Sequence, residues 1–277
     1  MRLKVEHVTS FEYDTPIYET ATEVRLQPSD DRYAPQRCLS FVLTVDPAAN
    51  IFQYTDFYGN SVHHFNLLQS HRNVIITATS VVETGLGRTE ARPDEDILLQ
   101  DYLTESPYIR FDPALAEFAQ PFERPQEAEL LAEAICRQIN QSFIYEPGVT
   151  DVGSTSTAAM QLGRGVCQDF AHIMIASCRY LGLPTRYVSG YLYGGAETDG
   201  HDRSSHAWGE VYCGPEKGWL AFDPTHKSLT VDERYIKIGA GRDYSDVSPV
   251  RGTYKGQAQE HLKVTVRISA VKADALV

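Results

Sequence analysis

The sequence is poor in the features that mark several common protein classes. No run approaches the roughly 18 consecutive apolar residues of a membrane-spanning helix. The opening Met1-Arg2-Leu3-Lys4-Val5-Glu6-His7 meets an acidic side chain at once and lacks the apolar stretch of a secretory leader. Basic charge is scarce: 25 Lys and Arg stand against 37 Asp and Glu, a net of −12. Such an excess repels phosphate backbones and counts against nucleic acid or an anionic membrane as a partner. Cysteine is scarce too. Cys38, Cys136, Cys167, Cys178 and Cys213 are odd in number and none forms a Cys-x-x-Cys pair, so neither a disulfide framework nor a structural zinc site is expected. Internal repeats and low-complexity tracts are missing. These absences leave a reduced, cytoplasmic globular protein as the expectation, with 42% hydrophobic and 22% charged residues in a chain of 277. That length holds one large domain or two smaller ones.

The first eighty residues read as β-structure. Leu39, Phe41, Leu43 and Val45 alternate with other residues, as do Val74, Ile76, Ala78, Ser80 and Val82, the period-2 pattern of half-buried strands. Tyr58-Gly59-Asn60-Ser61 separates two strand-like runs and predicts a hairpin turn. Residues 83–133 hold 13 acidic and 4 basic side chains and are broken by prolines, which reads as a solvated linker. Helical periodicity then appears over Glu127 to Gln141, with Leu131, Ile135 and Ile139 on one face and Leu130 and Ala134 beside them. A second helical stripe, Phe170, Ile173, Met174, Ser177 and Leu181, ends at Gly182 and Pro184. Strands are expected at Thr185 to Tyr193, Ala207 to Tyr212, Trp219 to Phe222 and His261 to Ser269. The predicted organisation is α+β: an N-terminal antiparallel β domain over 1–90, then a core over 91–277 that keeps the late strand.

One segment carries chemistry: Gly163-Arg164-Gly165-Val166-Cys167-Gln168-Asp169-Phe170-Ala171-His172. Two glycines lead into a cysteine in the first turn of a helix, where free N–H groups and the positive end of the helix dipole favour a thiolate. A nucleophilic cysteine needs a base, and the base an orienting group. His206, in Ser205-His206-Ala207-Trp208, and Asp223, in Phe222-Asp223-Pro224-Thr225, follow in order on two strands. Cys167 would attack a carbonyl, His206 would move the proton, and Asp223 would hold the imidazole tautomer.

At these residues the chain resembles the transglutaminase-like superfamily, in the bacterial branch described as candidate cysteine proteases. The matching runs are Gly-Val-Cys-Gln-Asp-Phe-Ala-His (165–172), Gly-Leu-Pro-Thr-Arg-Tyr-Val-Ser-Gly-Tyr (182–191), Ser-His-Ala-Trp (205–208), Gly-Trp-Leu-Ala-Phe-Asp-Pro-Thr (218–225) and the run 241–252. The resemblance implies a papain-like core, its cysteine-bearing helix packed on an antiparallel sheet, behind a β-rich N-terminal region. It implies Cys167, His206 and Asp223 as the triad and acyl chemistry at amide bonds through a thioester. Its implied partner is a peptide or amide substrate, proteins included. Calcium is not carried over, because no Asp-x-Asn-x-Asp-Gly loop is present, and no cofactor is expected. Hydrolysis is favoured because no amine-acceptor site is evident; a transamidase, or a binding protein idle on the same fold, stay open as alternatives. For the oxyanion hole the Cys167 backbone N–H is one donor, and Tyr145 is a candidate because its run precedes the catalytic helix in related sequences.

Bland roles are expected for the remainder. Cys38, Cys136, Cys178 and Cys213 read as core thiols. His172 lies about 140° round the helix from Cys167 and is expected to be structural. Trp208 and Trp219 read as strand packing, and Asp169 as a partner of the helix dipole. Asp243 and Tyr244 are candidates to line the cleft. His63-His64 and the His201/His206 pair lack companion ligands, so no metal is expected. Nothing in these residues speaks to oligomeric state.

Overall fold

The computed structural model describes residues 1–30, 35–86, 96–122, 127–195, 202–203 and 205–271. Five strands open the chain: β1 (Arg2–Val24), β2 (Gln36–Asp46), β3 (Phe52–Thr55), β4 (Ser61–Leu67) and β5 (His71–Thr84). Helices α1 (Asp96–Asp101), α2 (Pro113–Ala119) and α3 (Ala128–Ser142) follow, then β6 (Ile144–Tyr145), α4 (Ser156–Leu162), β7 (Arg164–Gly165) and α5 (Cys167–Tyr180). The chain continues through β8 (Thr185–Leu192), β9 (Asp202–Arg203), β10 (His206–Tyr212), β11 (Trp219–Phe222) and β12 (Tyr235–Gly241). It closes with α6 (Tyr244–Val247), β13 (Val250–Lys255) and β14 (Glu260–Ala270).

Two antiparallel sheets organise these elements. The larger runs β2-β5-β1-β14-β9, with β4 and β13 on the second half of the long β1 and β3 on β4. The smaller runs β11-β10-β8-β12. The expected hairpin is present: β3 and β4 pair around Gly59 at φ +84°, and the Asp56 carboxylate accepts from the Tyr58 and Asn60 N–H groups at 3.0 and 2.9 Å. The alternation Val74, Ile76, Ala78, Ser80, Val82 is buried throughout. In β2 the register shifts between Cys38 and Ser40. The extra residue reverses the phase, so Leu39 is exposed while Phe41, Leu43 and Val45 pack inward. Cys38, read as core, is half-buried at this bulge.

Helix α5 is the axis of the second unit. Its sheet-facing and helix-facing sides are both covered, by β10 and β8 on one hand and by α2, α3 and α4 on the other. Residues from Asp169 to Arg179 are buried in consequence. Leu131, Ile135 and Ile139 of α3 join Phe170, Ile173, Met174 and Cys178 in one cluster, and burying each such aliphatic side chain contributes roughly 1.5–3 kcal/mol. Ala132 and Cys136, not Leu130, flank the α3 stripe; Leu130 is 56% exposed, one residue past the edge of the buried face. The acidic stretch is not simply a linker. Tyr102, Ile109, Leu115 and Ala119 within it are buried, while its described carboxylates stay at least partly exposed, Asp112 among them capping α2 through the Leu115 N–H at 2.9 Å.

The division at residue 90 falls in 87–95, outside the described residues. The late strand, assigned to the core on chain order, pairs instead with β1 from Leu3↔Ala270 to Tyr13↔Glu260. β13 likewise pairs with the far half of β1. The two units are therefore laced together, and Leu3, Val5, Val266 and Ile268 of the large sheet pack on Tyr191, Ile236 and Ile238 of the small one and on Tyr193 just past it. Among the described residues no helix is long and apolar enough to cross a membrane.

Candidate active site

Helix α5 begins where two glycines allow it to. Gly163, at φ +68°, ends α4 in the left-handed conformation that glycine adopts without strain. Gly165 then passes against Asp169: a Cβ there would lie 2.5 Å from the carboxylate. Asp169 is 1% exposed and accepts from the Val166 N–H at 2.8 Å and the Thr150 hydroxyl at 2.7 Å. Burial nonetheless raises its carboxyl above the usual range. Cys167 is thus the first helical residue, half-buried, at the end where unpaired N–H groups gather.

Strand register brings the other two residues together. β10 starts at His206, and its pairing with β11 places Gly209 opposite Phe222, so Asp223 emerges at the same end of the sheet. His206 Nε2 lies 2.7 Å from Asp223 Oδ2. Because a carboxylate only accepts, Nε2 carries the proton and Nδ1 is the nitrogen left for Cys167. Burial opposes a charged imidazole, but hydrogen bonds with Asp223 and Cys167, and their charges, outweigh it and lift His206 to about 9. Burial would raise Asp223; its bonds to His206, the Thr225 N–H and the Tyr235 hydroxyl prevail and hold it below the usual carboxylate range. Asp223 is fully buried and His206 is 9% exposed.

The support around Asp223 is not visible as a motif. Tyr235, at the start of β12, donates to Oδ2 at 2.8 Å, and the Thr225 N–H donates to Oδ1 at 2.8 Å. Asn140 of α3 holds the following turn by donating to the carbonyls of Pro224 and Thr225 at 3.2 and 3.0 Å. His226 is half exposed, with Nε2 3.7 Å from Asp223 Oδ2. His206, Asp223 and His226 bring ligand-type atoms within 4.8 Å of one another, yet the 2.7 Å contact is that of a pair sharing a proton.

Tyr145 stands nearby. It sits on β6, parallel to β7, with its ring edge-on to Phe170 at 6.2 Å. Burial raises its hydroxyl, and the charges of Cys167 and Asp223 add to that. His172 is held structurally: it is buried between Tyr108 and Tyr187, at 5.2 and 5.0 Å, and accepts from the Tyr244 N–H at 3.3 Å. Burial lowers it. Asp243 is also buried and caps α6, accepting from Ser245 N–H at 2.9 Å and from Tyr108 N–H at 2.9 Å, so it does not line the cleft, whereas Tyr244 packs in the cluster that includes Cys167. Trp208 lies 6.2 Å from the His206 ring and is 2% exposed, and Trp219 is covered by Arg186 at 4.1 Å, both packing residues. His63 and His64 point to opposite faces of β4, against Phe41 and Phe52. His201 lies outside the described residues. Of the other thiols, Cys136 and Cys178 are buried and burial raises both, Cys178 to about 12; Cys213 is half-buried against the same cluster.

Comparison with known proteins identifies the family and the fold. Residues 116–224 match the transglutaminase-like superfamily core, and residues 3–83 match the bacterial transglutaminase-like N-terminal region. An uncharacterized protein of Mycobacterium leprae is 32% identical over 97% of this chain and 98% of its own. One of Mycobacterium tuberculosis is 33% identical over 99% and 95% respectively. A protein-glutamine gamma-glutamyltransferase of Pseudomonas aeruginosa is 32% identical over 118 residues, 40% of this chain and 17% of its own. The fold is that of a crystal structure from Cytophaga hutchinsonii described as a candidate cysteine protease, with a TM-score of 0.79, 23% identity, and coverage of 99% of this chain and 92% of that one. The chain belongs to the transglutaminase-like superfamily, in the group that carries the bacterial transglutaminase-like N-terminal region.

Proposed function

We propose that the protein is a cysteine-dependent amide-bond hydrolase, a peptidase or amidase, working through a Cys167–His206–Asp223 triad. The observation that carries this reading is the buried 2.7 Å bond from His206 Nε2 to Asp223 Oδ2, which leaves Nδ1 for a cysteine at a helix start. In the reaction the Cys167 sulfur attacks the amide carbonyl, an S–C bond forms and the oxygen takes the electron pair. The Cys167 backbone N–H faces that oxyanion, with Tyr145 the second candidate donor. His206 gives its proton to the amide nitrogen, the C–N bond breaks and the amine leaves. Water then attacks the thioester, His206 takes a water proton, the C–S bond breaks, and acid and thiol are released. Asp223 keeps the tautomer and stabilises the imidazolium throughout.

A second reading has a specific observation in its favour. The Pseudomonas aeruginosa relative is a protein-glutamine gamma-glutamyltransferase, and an amine in place of water at the same thioester would make this chain a transamidase. Incubation with a peptide and amide library, with and without added primary amines, separates the two by mass spectrometry. Products that have gained water support hydrolysis, and products that have gained the amine support transfer. A failure of Cys167→Ala to abolish either product would overturn the triad, and a lack of any product or thioester would favour an idle binding protein.

A further inference from the structure

One face of the large sheet continues past the point where the catalytic unit covers it. Odd-numbered residues of β1 and even-numbered residues of β14 share this face, since Val5 pairs with Ile268, Thr9 with Val264 and Phe11 with Leu262. At one end the face is packed: Leu3, Val5, Val266 and Ile268 meet Tyr191 and Ile236. At the other end it floors a cavity of about 690 Å³ whose walls include Thr9, Phe11, Tyr13, Leu262 and Val264. Leu262 and Val264 are 56% and 45% exposed, a large apolar area for solvent to touch in a strand that is otherwise well paired.

Three residues of the lining adjoin the proposed reacting groups, which do not themselves line the cavity. Ser205, on its wall, precedes His206 in the chain. Tyr244, also on its wall, packs in the cluster that holds Cys167. Val152 lies at its rim and accepts through its carbonyl from Gln168 Nε2 at 3.1 Å, one residue beyond the nucleophile. Its lining carries little charge. His7 in the floor is 2% exposed, bonded to the Tyr191 hydroxyl at 2.7 Å and to Thr9 at 3.1 Å, and burial lowers it to about 4, so it is neutral at ordinary pH. Glu260, at the far end, accepts from the Tyr13 hydroxyl.

We propose that this cavity receives an aliphatic or aromatic side chain of the acyl substrate, adjacent to the carbonyl that Cys167 attacks. The assignment rests on the cysteine-acyl reading above. It gives the N-terminal sheet and the C-terminal strand a part in selecting substrate: a catalytic unit without them would lack this wall. A volume of this size has ample room for a side chain of Leu or Phe dimensions, and a carboxylate there would be desolvated without a cation to pair with.

Peptidyl chloromethyl ketones test the assignment, because the Cys167 sulfur displaces chloride as the S–C bond forms and the C–Cl bond breaks. The full chain is labelled with probes that differ only in one residue, Leu or Phe against Gly, Asp or Lys, beside iodoacetamide as a small reagent. Leu and Phe probes should label Cys167 at least tenfold faster. Val264→Arg and, independently, Leu262→Lys, both at exposed positions on the cavity wall, should remove that preference and leave the iodoacetamide rate unchanged. Calorimetric titration of Cys167→Ala with N-acetyl-leucinamide reads the cavity without chemistry and should give binding that Val264→Arg abolishes. Equal rates for all probes, a preference for Asp or Lys, or wall variants that change nothing would overturn the cavity assignment while leaving the nucleophile intact. Binding that survives alongside inert Cys167 would overturn the enzymatic reading and leave the apolar cavity standing.

Discussion

Gly165 has no Cβ where Asp169 needs the space: an added Cβ would sit 2.5 Å from the carboxylate that holds the start of α5. The pair explains why Cys167 stands where it does. Asp169 accepts from the Val166 N–H at 2.8 Å, fixing the backbone immediately before Cys167, and can do so only beside a residue without a side chain. Gly165→Ala is therefore expected to cost about 1–3 kcal/mol of stability through overpacking. It should also slow alkylation of Cys167 by tenfold or more. Urea denaturation and iodoacetamide kinetics on the same variant check both.

Asp223→Asn keeps the shape of the site and removes the charge. His206 should fall from about 9 towards its ordinary 6.5, and turnover should drop by about 10²–10⁴-fold while a trace persists, since nucleophile and base remain. NMR titration of the His206 ring measures the first effect and library turnover the second.

Tyr235→Phe removes one donor from a fully buried carboxylate that keeps two other partners, His206 and the Thr225 N–H. A bond to a charged group is worth about 1.5–3 kcal/mol, so a comparable stability loss is expected. Activity should fall less than in Asp223→Asn, because the imidazole keeps its carboxylate. Denaturant midpoints and alkylation rates of the two variants, side by side, rank them.

The pH dependence has a definite sign. His206 is held at about 9 in the folded protein against 6.5 for the free side chain, so its contribution to stability is fully present below 6.5 and is lost as pH rises through about 9. Reactivity that relies on the imidazolium should decline over the same alkaline range. His206→Ala should flatten the alkaline loss of stability seen in thermal melts between pH 6 and 10.

The candidate site residues were legible because each lies in a short local pattern: glycines before Cys167, and strand-like runs beside His206 and Asp223. Their supports were not. Tyr235 and Asn140 reach Asp223 and its turn from separate elements, and no spacing in the chain announces a contact made only by tertiary packing. Asp243 was a candidate to line the cleft, yet it is a buried carboxylate that caps α6 and satisfies the backbone instead. Alternation located the strands but not their partners, so β14 was grouped with the unit it follows and in fact pairs with β1. Leu39 departed from its pattern at a bulge, a one-residue insertion that periodicity cannot register.

The central claim is that Cys167 is a nucleophile activated by His206. Iodoacetamide labelling of the intact protein, followed residue by residue with mass spectrometry, tests it most directly. Cys167 should be modified faster than the other half-buried thiols, Cys38 and Cys213, and His206→Ala should slow this labelling at least tenfold without altering theirs. Labelling of Cys167 no faster than Cys38, or unchanged in His206→Ala, would contradict it.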